Sequence, residues 1–279
     1  MRLSDKSKMT NTIKPFGWKR NLDSIKETLI ILFKTFLEYK TNGFSAFLIQ
    51  IFYASSMILL YYIINLNFSQ YIPWKFEDFL LFLFISFIIF DLGGFLLWDS
   101  NLFVAIKKGT LNTILSKPIN PFLMNLINGA GSNIYVYFTS DLIILPIIIW
   151  YFDIQIVNIS LFFIFFLLVL YLHFIFMNLI QSFEWRYLGI SNIFMDIFWK
   201  LENLFDSYPE PFFRGSTIYK FLFLFPSFFV GSLLVPTLRG YEVILFNYQI
   251  SILIFLIILF TFITYINWRY GLKHYEAFG

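Results

Sequence analysis

Cysteine is absent from the 279 residues, histidine occurs only twice, and charge is scarce. Without cysteine there is no disulfide framework, no thiol chemistry and no thiolate metal site. His173 and His274 are far apart in the chain, which argues against a zinc or haem centre. Charged residues make up 13% of the chain, about half the roughly 25% of an ordinary soluble domain. The 20 basic and 17 acidic side chains cannot cover a globule of this length with a polar skin. No Gly-x-x-x-x-Gly-Lys-Ser/Thr loop is present, so the chain does not hold nucleotide phosphates in that way. These absences exclude a soluble globular enzyme, a disordered chain and a collagen-like repeat.

What is present is apolar. Hydrophobic residues reach 59% and aromatics 23%, with 40 phenylalanines. An apolar helix needs roughly 20 residues to cross the hydrocarbon core of a bilayer. Runs of that kind cover 44–65, 79–98, 129–151, 156–180 and 243–268, with weaker candidates at 187–205 and 217–236. Period-two alternation is missing, which argues against a β-barrel. The expected fold class is an all-α integral membrane protein.

The scarce charge is unevenly placed. Residues 1–40 carry nine basic side chains, which continue to the mouth of the first run. A secretory signal would instead place a short apolar run directly after a few charges. The positive-inside rule predicts that this segment is cytoplasmic. Within it, Leu22, Ile25, Leu29, Leu32, Phe33 and Phe36 recur at helical spacing opposite Asp23, Lys26, Glu27, Lys34 and Glu38. That pattern predicts an amphipathic helix lying in the membrane interface, with 1–40 as a basic segment and 41–279 as the transmembrane domain.

Lys107, Lys108 and Lys117 then place the 99–128 loop inside, and the third and fourth spans form a hairpin turning near Asp153. An inside C-terminal tail, bearing Arg269 and Lys273, requires an even number of crossings. Five clear spans and one weak one make six. Charge counting favours 217–236 as the remaining crossing. Pro226 and Pro236 inside it, and Pro209 and Pro211 after 187–205, favour a crossing at 187–205 followed by a re-entrant element. Both arrangements fit the residues.

The stretch Ile106-Lys-Lys-Gly-Thr-Leu-Asn-Thr-Ile-Leu-Ser-Lys-Pro118 reads as a helix, a break at Gly109, a second short helix and a stop. Leu111, Ile114 and Leu115 would share one face, flanked by Lys107, Lys108 and Lys117. Such a cationic, partly apolar element suits docking into a groove of a cytoplasmic partner. Together with Phe198-Trp199, Asp206-Ser-Tyr-Pro209, Phe225-Pro226 and Pro236-x-x-x-Gly240, it resembles small bacterial permeases of the ABC-2 exporter class. The likeness runs over most of residues 20–270 in order and spacing. Phe221, Phe223, Phe225, Phe228 and Phe229 load the region beyond what that pattern requires.

The resemblance implies six spans, an N-terminal elbow helix and an extracellular re-entrant element at 217–236. It implies a coupling helix at Lys107, Lys108, Gly109, Leu111, Ile114, Leu115, Lys117 and Pro118. It further implies a non-enzymatic subunit of a prokaryotic plasma membrane with both termini cytoplasmic. Its partners would be an ATPase subunit that carries the ATP and Mg, a second permease copy or a related permease, and membrane lipids, with no role for nucleic acid.

A charge at the bilayer centre costs roughly 2.5–3.5 kcal/mol on insertion scales. Asp91 and Asp141 lie well inside their spans, and each is a candidate for a translocation path or for a helix–helix hydrogen bond. Gly93 and Gly94 beside Asp91 favour close helix packing. Asp196 and Lys200, four apart, can pair on a fifth helix and are further path candidates. Two rival readings follow: a transporter driven by an ion gradient through Asp91 and Asp141, and a membrane-embedded lipid enzyme. The second lacks any local cluster of His, Asp or Glu.

Overall fold

The computed structural model describes residues 40–95, 102–109, 111–115, 134–241 and 246–275, together with Asp23, Lys26, Glu27, Ile30, Lys34 and Glu38. Those six isolated residues are helical and exposed, and the rest of the expected interfacial helix lies outside the described residues. So do Lys117 and Pro118, the beginnings of the runs at 129 and 243, and the end of the run at 98.

All regular structure among the described residues is helical. The six long helices are α1 (Lys40–Phe68), α2 (Phe76–Phe95), α5 (Ile134–Tyr151), α6 (Ile159–Ser182), α7 (Ile190–Ser207) and α10 (Phe246–His274). The short ones are α3 (Leu102–Lys107), α4 (Leu111–Leu115), α8 (Tyr219–Leu222) and α9 (Val235–Arg239). Three described helices are long and apolar enough to cross a membrane, over Phe47–Phe68, Ile159–Trp185 and Asn247–His274. The chain is thus an all-helical protein of membrane-embedded character.

Local chemistry sets the breaks. Asp153 adopts φ +48° between α5 and α6, a left-handed conformation that Asp tolerates through local hydrogen bonding. α7 stops where Tyr208 turns extended (φ −128°, ψ 103°), as the residue before Pro209 must. Gly240 closes α9 at φ +71°. Its N–H bonds Thr237 O at 3.2 Å and the Tyr241 N–H bonds Pro236 O at 2.9 Å, the two bonds of a Schellman turn.

The centre of the bundle is α2. It packs on α5, α6 and α1 and also meets α7. Every residue from Phe79 to Ile89 is buried. A helix that is apolar on all faces needs cover on all faces, and here the other helices supply it. α10 packs along α6 on one side of this centre.

One end of the bundle is tied by a polar knot. Asp78 has no exposed surface. Its carboxylate accepts the Lys75 backbone N–H at 2.9 Å, closing the first turn of α2 as in a capping box. It also accepts Arg239 Nε at 2.9 Å and the Tyr241 hydroxyl at 3.1 Å. Arg239 Nη1 donates to Gln155 O at 3.2 Å, and the Val157 N–H donates to Leu238 O at 2.9 Å. The start of α2, the α5–α6 turn and the segment before α10 therefore meet in one place.

The chain between α6 and α10 follows from these contacts. α7 begins beside Glu184, whose carboxylate accepts the Gly189 N–H at 2.6 Å. It ends beside α1 and α2: Tyr61 donates to Ser207 O at 3.2 Å, and Phe212 lies 6.3 Å from Phe79, ring to ring. α7 thus runs from the far end of the bundle to the Asp78 end. Residues 209–241 start at the Asp78 end, dip inward and return to it. Within this stretch Phe225 lies 6.4 Å from Phe198 and 6.4 Å from Phe176, ring to ring. This segment is broken backbone, with a 3-10 turn at Glu210–Phe213, α8, turns around Pro226 and a π-helix at Val230–Leu234. Residues 226–238 are buried without interruption.

Removing one partner of a buried ion pair strands the other. Asp78→Ala is expected to lower unfolding stability by about 3–5 kcal/mol. Glu77→Ala, which removes a half-exposed partner 3.6 Å from Arg239, is expected to cost less than about 1 kcal/mol. Denaturant titration of both variants in detergent checks the contrast, and equal losses would contradict it.

Candidate functional site

The residues singled out in the sequence divide between two places. The first is the end of the bundle opposite Asp78. Here α3 and α4 flank a turn at Gly109, whose φ of +69° favours glycine. The turn is closed by the Gly109 N–H to Ile106 O at 3.2 Å and the Asn112 N–H to Gly109 O at 3.1 Å. Leu102, Ile106 and Leu111 cluster with Trp268, and Ala105, Leu115, Trp185 and Tyr275 pack around them.

This corrects one expectation. Leu111 was expected on a face offered to a partner, but it is fully buried against the chain's own helices. Two residues after the break at Gly109, it turns inward because the aromatic floor of Trp268 and Trp185 lies there. Leu115 is half-buried in the same cluster, and the Ile114 side chain lies outside the described ones. Among the described side chains of this element, Lys107, Lys108 and Asn112 are exposed.

The floor itself is tightly built. Trp185 meets Trp268 edge-on at 5.4 Å and Tyr275 at 6.1 Å. Arg186 Nε donates to Asn267 Oδ1 at 3.1 Å, and Asn267 Nδ2 donates to Ser182 Oγ at 3.0 Å. The Arg186 guanidinium also sits 4.9 Å above the Tyr270 ring. Glu184 is buried here and caps Gly189. The Glu184-Trp185-Arg186 turn directly follows α6. In the fold it locks the end of α6 to the end of α10.

The second place is the interior around α7. Asp196 and Lys200 lie on its exposed side and form no ion pair with each other. Four-residue spacing allowed the pair, but neither side chain is drawn to the other in this arrangement. The buried acid of the helix is Glu202, with no exposed surface. The Ser227 hydroxyl and backbone amide face it, yet neither carboxylate oxygen makes a hydrogen bond. His173 on α6 is also buried, with neither ring nitrogen bonded, and its ring lies 6.3 Å from Phe198.

Asp91 is half-buried near the end of α2. Asp141 belongs to α5, and its side chain lies outside the described ones. Among the described residues, no three His, Asp or Glu side chains group as metal ligands would.

A further charged group closes the broken segment near the Asp78 end. Glu210 is buried, accepts Arg214 Nε at 2.8 Å and accepts the Tyr219 hydroxyl at 2.6 Å. The hydrogen bond that Arg214 donates to Glu210 raises the pKa of its guanidinium above the ordinary value. Spacing alone points to the i,i+4 pair of Glu210 and Arg214. It gives no warning that the carboxyl is buried. No family model, curated protein or solved structure matches the chain.

At the floor, a Cβ on Gly271 would overlap the Trp185 ring. Gly271→Ala is therefore expected to displace Trp185 and destabilise the fold by about 1–3 kcal/mol. Tryptophan emission and thermal unfolding read this together, and unchanged values for both would contradict the packing.

Proposed function

We propose that the chain is the permease subunit of an ATP-driven exporter, with a separate ATPase docked on the Lys107–Lys108 face. The observation that carries this reading is the short α3–Gly109–α4 element, braced on Trp268 at the bundle end opposite Asp78 with its lysines outward. An element so braced can transmit a push from a soluble partner into α10 and α6. In this reading the lysine-bearing end is cytoplasmic, in keeping with the basic residues of the first 40 positions.

The membrane arrangement follows from the same reading. α1, α2, α5, α6, α7 and α10 are the six crossings, and 209–241 is a re-entrant element at the outer face. The support is physical. Broken backbone at membrane depth is tolerated only where protein or a cavity covers it, and 226–238 is buried throughout. The exposed charges Asp196 and Lys200 on α7 need shielding from lipid. A second permease copy facing α7 would supply it.

Two measurements test this. Lys107→Glu with Lys108→Glu should abolish co-purification of the ATPase while leaving thermal unfolding unchanged. Leu111 is unsuitable for this purpose because it is core. Retained association would sink the docking assignment. Because the chain has no native cysteine, single-cysteine variants report sidedness directly. Tyr187→Cys should react with an impermeant thiol reagent only from the cytoplasmic side, and Ser216→Cys only from the outside. Reaction of both from one side would remove α7 as a crossing.

A further inference from the structure

We infer that Glu202 anchors a binding site for an organic cation, closed in this structure by the tip of the broken segment. The inference rests on the exporter reading and names the chemical class of its cargo.

Four acidic residues are buried among the described residues: Asp78, Glu184, Glu202 and Glu210. Three are held by donors within the chain. Asp78 has Arg239 and Tyr241, Glu184 has the Gly189 N–H, and Glu210 has Arg214 and Tyr219. Glu202 is the exception, with neither oxygen bonded. Native interiors satisfy nearly all buried polar atoms, so an acid left without a donor calls for an explanation outside the resting fold. An ionisable residue at membrane depth is a functional candidate by default.

The surroundings indicate what would pair with it. Phe198 and Phe205 lie one turn before and after Glu202 on α7. Phe225 reaches across to both, stacked at 6.4 Å on Phe198 and 5.0 Å from Phe205. Phe176 lies 4.9 Å from Phe198 and closes the side toward α6. Ring faces carry partial negative charge and attract weakly hydrated cations. A carboxylate within aromatic walls therefore selects a bulky organic cation. A calcium or magnesium ion would need about six or more oxygen ligands, and among the described side chains facing this point Glu202 and Ser227 offer oxygen. An anion would face the carboxylate and the ring quadrupoles together.

The site's cover is the tip of the broken segment. Ser227 faces Glu202, sits two residues after Phe225 and follows Pro226. Neither the Ser227 nor the Ser232 hydroxyl is hydrogen-bonded, so withdrawing the tip breaks no side-chain bond at either. The π-helix at Val230–Leu234 begins three residues further on, and such turns frequently mark functional positions.

The probe is tetraphenylphosphonium, with the near-isosteric anion tetraphenylborate as control, bound to the purified chain in nanodiscs without ATPase. The cation should bind and the anion should not. Glu202→Gln should weaken cation binding at least tenfold, Glu202→Asp should retain part of it, and Phe225→Leu should weaken it severalfold with the acid intact. Thermal unfolding of each variant confirms the fold, and Phe225→Leu carries the test if Glu202→Gln unfolds. Wild-type affinity in Glu202→Gln, equal binding of the anion, or no cation binding would overturn the site. Failure here with an ATPase still co-purifying removes only the cargo class. Cation binding in a chain that recruits no ATPase keeps the site and removes the exporter.

Discussion

Asp78 has no exposed surface and holds three parts of the chain at once: the first turn of α2, the turn after α5 and the end of α9. A buried pair of this kind adds little over a well-packed apolar substitute, because both charges must leave water. Its effect is on alignment. Any packing that separates Arg239 from Asp78 leaves two uncompensated charges in the interior, so competing arrangements are penalised heavily. The rest of the architecture depends on that alignment. It sets α10 to start at the same end as α2 and α6, and so obliges α7 to run the length of the bundle. Residues 209–241 are left to fold back on themselves.

The two ends of the bundle are built differently. The Asp78 end is held by charge-assisted hydrogen bonds, with Arg239 and Arg214 both engaged by acids. The Trp185 end adds edge-on aromatic packing and a close glycine contact to its own hydrogen bonds at Arg186 and Glu184, with lysines left on the surface. Charge-assisted bonds fix angle and register, whereas edge-on ring contacts permit small sliding and keep area buried. One end is suited to staying fixed and the other to passing on a displacement.

Much of the helical framework was legible because it follows from local composition. The five clear apolar runs fall on α1, α2, α5, α6 and α10, and the weaker one at 187–205 falls on α7. The turn at Asp153 and the break at Gly109 rest on backbone conformations that those residue types favour. The remainder depended on partners far away in the chain. The Asp78–Arg239 bond spans 161 positions and has no local signal. Leu111 reads as one face of an amphipathic helix, and whether that face turns inward is decided by Trp268. On α7, spacing marks Asp196 and Lys200 as a pair. Only packing shows that Glu202 is the enclosed acid. The path of 187–236 stayed open because charge and proline placement pointed in opposite directions. The contacts of Tyr61 and Phe79 bear on it most directly.

The central position of α2 has a consequence for biogenesis. Of the segments that sheath it, α1 precedes it, while α5, α6, α7 and the broken segment are all synthesised later. At roughly 5–20 residues per second, Arg239 emerges on the order of 10–30 s after Asp78. Until then the faces of α2 destined for protein lack their cover, and its acidic first turn lacks Arg239. Closure of the Asp78 knot is thus a late step, which converts a row of helices into one packed body. A ribosome stalled or a chain truncated before residue 239 would leave that step undone with most of the apolar helices already made.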